Sequence, residues 1–208
     1  MPRLIPYAFS DQPGDTLVVS MPGKVQVAEI AGCRAPSYLS DDFVPFTTMS
    51  RILGGGIGSR LGQNIRETQG LAYMVSSRID GTSSGSEEGN RFMGFLATGA
   101  PTASRALEAM IYETGRMASE DVQPEELLLE QSRSIGRHAL SYDSYDSQAR
   151  YIAACAAMGL PLDRDLTILE QTVALKVEDI RQVASEYFSD QWFVVVAGGV
   201  DENLEPLQ

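Results

Sequence analysis

The chain has 208 residues, 43% of them hydrophobic and 21% charged, a balance that suits a globular protein with a sizeable core. Its formal net charge of −12 excludes nucleic-acid binding through a positive surface and fits anionic membranes poorly. One histidine, His138, excludes any mechanism that needs two histidines on this chain, the two-His zinc motifs among them.

Cys33 and Cys155 lie far apart without metal-ligand spacing, so two reduced, buried cysteines in a cytoplasmic protein are expected. The first ten residues, MPRLIPYAFS, hold no apolar run of signal-peptide length, and Asp11 follows soon after. No stretch has the length and apolarity of a membrane span.

In chain order, DTLVVSM reads as a lead-in strand and KVQVAEIAG as a strand, in which Val25, Val27 and a small or apolar residue alternate against Lys24, Gln26 and Glu29. A helix is expected from about Asp42 to Leu53, with Phe43, Phe46, Met49 and Ile52 or Leu53 on one face and Gly54 to Gly56 ending it. Ser59 suits the N-cap of a short helix through Arg66, which Gly70 stops by taking positive φ. LAYMVSSRI and RFMGFLATGA read as an antiparallel strand pair around a flexible polar loop, Asp80 to Asn90.

Beyond Ala100 the pattern turns helical. The first helix has a stripe of Leu107, Met110, Ile111, Thr114 and Ala118. The next opens at Pro124, Glu125 and Glu126, with a stripe of Leu128, Ser132, Ile135 and Ala139. Further helices are expected at about Ser144 to Met158, Asp165 to Val173 and Val177 to Phe188. WFVVVAGG reads as a strand that is central or buried on both sides. The order implies one α+β domain over residues 1–208, an antiparallel or mixed sheet with helices on one face.

Several residues invite a chemical role. GGGIGS follows a helix, has no Lys-Ser/Thr after it and opens no βαβ unit, so it reads as a turn, not a phosphate loop. His138 stands on a helix without a Ser or Cys nucleophile context and reads as a structural histidine. The acidic pairs Asp41–Asp42, Glu87–Glu88 and Glu125–Glu126 read as solvated loops or helix starts. Tyr142, Asp143, Tyr145 and Asp146 read as a helix junction capped by Ser144, with a ligand loop as the alternative. Arg66 and Tyr73 flank the Gly70 turn. Either they are a surface ion pair (to Glu67 or Asp80) and a sheet tyrosine, or they converge as two donors that grip a carbonyl oxygen or oxyanion.

The segment ILGGGIGSRLGQNIRETQGLAY resembles the C-terminal-half signature of the insulinase/pitrilysin-like zinc metallopeptidases, the family of mitochondrial processing peptidase. Leu53 to Gly56, Ser59 to Leu61, Arg66-Glu67 and Gly70 to Tyr73 each match an element of that signature. The resemblance runs from about Lys24 to Val200 and takes in the helix openings at Gln123 to Leu127 and Val177 to Ile180 and the VVVAGG strand.

It implies a half that pairs with a homologous half bearing His-x-x-Glu-His and its zinc, here in cis or in trans. Arg66 and Tyr73 would supply substrate-carbonyl and oxyanion contacts. No metal or other cofactor is expected on this chain, and the isolated chain is expected to be inactive as a metalloendopeptidase. The partners implied are the zinc-motif half and a peptide substrate, basic peptides being favoured by the net charge. A homodimer is the alternative when the chain stands alone. The competing reading is a catalytically inactive structural or assembly subunit of the same fold.

Overall fold

The computed structural model describes residues 16–80, 90–189 and 192–207. Five strands form one sheet in the order β1-β5-β2-β4-β3: β1 (Thr16–Ser20), β2 (Gln26–Arg34), β3 (Ala72–Asp80), β4 (Arg91–Gly99) and β5 (Phe193–Gly198). β1 pairs with β5 in parallel, and every other pairing is antiparallel, so the sheet is mixed. Six α-helices accompany it: α1 (Phe43–Gly54), α2 (Ala103–Ser119), α3 (Pro124–Ser141), α4 (Tyr145–Met158), α5 (Arg164–Ala174) and α6 (Val177–Tyr187). This is the expected α+β architecture. Residues 81–89 of the polar loop lie outside the described residues.

Alternation decides which sheet face is covered. In β2, Val27, Glu29, Ala31 and Cys33 are buried, while Gln26, Ala28 and Ile30 are exposed. The buried set meets α1, α2 and α6 in one core built around Phe46, Met49, Leu53, Phe92, Leu96, Met110, Met117 and Ile180. Each such side chain contributes roughly 1.5–3 kcal/mol by leaving water. Phe46, Phe92, Tyr187, Phe188 and Trp192 meet edge to face or tilted, with ring centroids 5.0–6.1 Å apart. On the opposite face Ile30, Met74 and Phe193 are exposed, and no helix among the described residues covers them. β5 therefore lies inside the sheet between β1 and β2, but only alternate residues are buried; it is not covered on both faces.

Three expected helix signals form as read. Phe43, Phe46, Met49, Ile52 and Leu53 are buried along α1. Ser144 caps α4 by accepting from Ser147 N at 3.1 Å, and Gly159 ends it at φ +66°. Ile180, Val183 and Ala184 are buried along α6, with Val177 and Tyr187 partly so.

Two stripes differ. In α2, Ile111 is exposed, and Glu113 and Met117 are buried instead. In α3, Leu128 and Ile135 face outward, and Leu127, Glu130 and Ser134 are buried. The physical reason is the same in both helices. Each rotates to bury a glutamate that other elements meet with polar partners.

Candidate functional site

The glycine segment begins where α1 ends. The Gly55 N–H bonds to the Arg51 carbonyl at 2.8 Å, and Gly56 takes φ +150°. Ser59 then starts the next turn as expected. Its Oγ accepts from Gly62 N at 3.3 Å, and its carbonyl accepts from Gln63 N at 2.8 Å. From Gly62 to Thr68 the turn is π-helical, with the Gln69 N–H reaching the Asn64 carbonyl at 3.0 Å. Nothing in the local residue pattern signals that this short helix is widened.

Two polar links hold the turn. Arg60, 9% exposed, donates Nε and Nη2 to the two oxygens of Glu126 on α3, each at 2.8 Å. Asn64 Nδ2 donates to the buried Glu113 of α2 at 2.6 Å, and Arg116 lies 3.3 Å from the same carboxylate. Glu126 also accepts from Gln123 N at 2.8 Å, capping α3. Burial alone would raise the Glu126 pKa, but the Arg60 and Gln123 hydrogen bonds hold it below the usual carboxylate range.

Arg66 is in the last turn of this π-helical segment with its side chain 44% exposed, and its Nε lies 3.4 Å from Glu67 Oε1. The surface ion pair read from the sequence is thus present. Gly70 turns the chain at φ +61°, and Leu71 N closes the turn on the Ile65 carbonyl at 2.9 Å. That bond ties the backbone just before Arg66 to the backbone two residues before Tyr73. Register then breaks: Ala72 pairs with Thr98 but Met74 with Ala97, leaving Tyr73 as the extra residue of a β-bulge. Tyr73 and Met74 are both exposed, Tyr73 at 56%. Tyr73 points away from buried Ala72, as alternation requires, and the bulge leaves Met74 exposed beside it on β3, the edge strand of the sheet.

The other candidates gather elsewhere. His138 Nδ1 lies 3.4 Å from Asp165 Oδ2, which also accepts from the Tyr142 hydroxyl; Asp165 N donates to the Tyr151 hydroxyl at 3.1 Å. Burial would raise the Asp165 pKa, but the two tyrosines outweigh it and hold the carboxyl below its ordinary value. This cluster joins α3, α4 and α5, and Asp165 was not singled out from the sequence. Tyr145 is 90% exposed. Asp42 precedes α1 and accepts from the Tyr187 hydroxyl at 3.1 Å. Glu87 and Glu88 lie outside the described residues. Both cysteines are free and buried.

Among the described residues, one cavity of about 390 Å³ lies between α1, α5 and α6, and a smaller one of about 220 Å³ lies beside Trp192. Neither is lined by Arg66 or Tyr73, which stand on open surface. No group of three or more His, Cys, Asp or Glu among the described residues could hold a metal ion. A chain with one histidine does not fit a His-x-x-Glu-His zinc site. No helix among the described residues is long and apolar enough to cross a membrane.

Residues 1–133 match the family model described as the peptidase M16 inactive domain. A Helicobacter pylori protein named non-peptidase homolog YmxG is 26% identical over 161 residues, 76% of this chain and 36% of that protein. The chain therefore spans about a third of that curated relative. Among solved structures, the peptidase M16 inactive domain from Pseudomonas fluorescens superposes with a TM-score of 0.78 at 22% identity, covering 88% of this chain and 43% of that one. The inactive peptidase domain of a putative zinc protease from Bordetella parapertussis gives 0.69 at 16% identity, covering 82% and 92%. At these identities the two structures speak for the fold. The family model covers well over half the chain, including the whole Gly54–Tyr73 segment, so this chain belongs to the peptidase M16 inactive domain family.

Proposed function

We propose that this chain is the substrate-gripping half of a zinc-dependent peptidase, acting on peptide held between it and a zinc-bearing half. The observation that carries the reading is that Arg66 and Tyr73 flank one closed turn and are both exposed. The turn between them is closed by the Leu71–Ile65 backbone bond, and Tyr73 is exposed at a bulge. Both side chains donate hydrogen bonds and neither is a nucleophile at neutral pH, which suits a peptide carbonyl and the oxyanion that develops from it. The Arg66–Glu67 pair is exposed on both sides, and such pairs contribute about 0–1 kcal/mol. A substrate oxygen can replace Glu67 at little cost.

Zinc on the partner half would activate the attacking water. This chain would bind and orient the peptide and carry the negative charge of the oxyanion. Two open surfaces support a second body. Arg66 and Tyr73 line no cavity of their own, and the helix-free sheet face leaves Ile30, Met74 and Phe193 exposed. β3 is an edge strand able to pair with extended peptide.

The test is cleavage of a quenched, unstructured peptide by this chain mixed with a His-x-x-Glu-His half. Arg66→Ala and Tyr73→Phe should each lower kcat by about 10²–10³-fold, the usual loss when one oxyanion donor is removed, with the far-UV CD unchanged. Turnover at the unsubstituted rate in both variants would refute the assignment. The second reading, an assembly subunit of the same fold that grips no substrate, is favoured by the name of the Helicobacter relative. It requires no peptide cleavage in any mixture.

A further inference from the structure

A cluster of arginines with one acidic partner among the described residues lies beside the glycine segment. Arg51, in the last turn of α1, has Nη1 at 3.9 Å from Glu130 Oε1. Arg137 on α3 bonds to that same oxygen. Glu130 is 3% exposed, and its Oε1 also accepts from Ser134 Oγ at 3.3 Å. One carboxylate oxygen thus serves two guanidiniums.

Arg133 stands one turn from both Glu130 and Arg137 on α3, is exposed, and has no ion-pair partner among the described residues. Its Nη2 sits against the glycine segment: a Cβ built on Gly58 would lie 3.2 Å from it. The Gly56, Ile57 and Gly58 N–H groups are on exposed residues and bond to no protein acceptor among the described residues. Two guanidiniums therefore share one carboxylate, and a third, one helical turn away, turns to the glycine segment without an acidic partner among the described residues, in a chain whose net charge is −12. Burial, and then the neighbouring Arg137 charge, lower the Arg51 pKa, as expected where positive charge is under-compensated.

Guanidinium forks match anions that offer two or more oxygens, and free backbone N–H groups beside them add donors without added charge. We propose that Arg51, Arg133 and Arg137, with the Gly56–Gly58 backbone, form a binding site for an oxyanion, the chemistry shared by a peptide carboxylate and a phosphate. Arg133 supplies the uncommitted charge. Glu130 holds the other two guanidiniums apart and in place. The site stands independently of the peptidase reading, because none of its groups is Arg66 or Tyr73.

The experiment is a ¹H–¹⁵N titration of the purified chain with inorganic phosphate, with a short peptide ending in a free carboxylate, and with the same peptide amidated. The expected result is saturable movement of the Gly56, Ile57 and Gly58 amides by at least one of the first two ligands and none by the amide. Arg133→Gln should weaken that binding about tenfold or more without lowering Tm, since Arg133 is exposed and makes no ion pair or hydrogen bond among the described residues. Response to phosphate alone identifies a phosphate site; response to the peptide acid identifies a peptide carboxylate site. No saturable movement by either ligand, or unchanged affinity in Arg133→Gln, overturns the proposal.

Discussion

Glu29 is the residue most at odds with its surroundings. It lies on the helix side of β2, paired in register with Leu96 and Val196, and is 0% exposed. Neither carboxylate oxygen has a hydrogen-bond partner among the described residues. Burial pushes its pKa from 4.5 up to about 8. The direction of the linkage follows. Between pH 4.5 and 8 the unfolded chain has released a proton that the folded chain keeps. Raising the pH therefore destabilises the fold through Glu29, by about 1.4 kcal/mol per unit, until the folded carboxyl ionises. Glu29→Gln removes that loss. Urea unfolding at pH 5, 6, 7 and 8 should show the variant gaining on the parent at each step; a constant gap would mean that Glu29 is ionised or solvated in the fold. The strand is legible, but the alternation read from the sequence sets Glu29 on the polar side beside Lys24 and Gln26; period 2 puts position 29 on the face of Val27, and the fold buries it there. That an acid there would lack a partner is not legible, since partners come from distant elements.

At the scale of elements, α1 and β3 meet more closely than side-chain layers normally allow. Ser77 Oγ donates to the Ser50 carbonyl at 2.6 Å, and a Cβ on Gly54 would lie 2.3 Å from Ser77 N. Helix propensity alone says that Gly54→Ala stabilises α1 by about 1 kcal/mol. The contact with a strand backbone reverses the sign. Gly54→Ala should lower stability by roughly 1–3 kcal/mol, as overpacking does, and chemical denaturation reads it directly. A gain in stability would show that the helix end and strand part freely.

The α3 stripe carries the same lesson. Leu128 and Ile135 form the more apolar of two available faces, and periodicity selects it. The fold buries Glu130 and Ser134, because Arg51 from α1 and Arg137 from α3 itself converge there. In α2, Glu113 is buried for Asn64 and Arg116 in the same way.

For the whole molecule, the one histidine and the absence of a three-ligand group among the described residues carry a direct expectation. The purified chain should hold zinc far below one ion per chain by elemental analysis and cleave no peptide alone. Stoichiometric zinc, or activity without a partner half, would contradict the family assignment of roles. The site depends on the same division. Arg66 and Tyr73 lie on open surface; under the proposed function, the excluded water and low dielectric that strengthen oxyanion contacts come from the second half.

The sequence by itself determined the five strands, the six helices, the Ser59 cap, the Gly70 turn and the family, because alternation, helical period and turn chemistry are local. It also determined that two residues, Arg66 and Tyr73, flank that turn. Only the tertiary structure decided the strand order, the bulge at Tyr73, the wide turn that carries Arg66 and the glutamates buried in α2 and α3. Each of those depends on which distant groups arrive at a position, and a buried polar group follows its partner rather than its hydrophobic period.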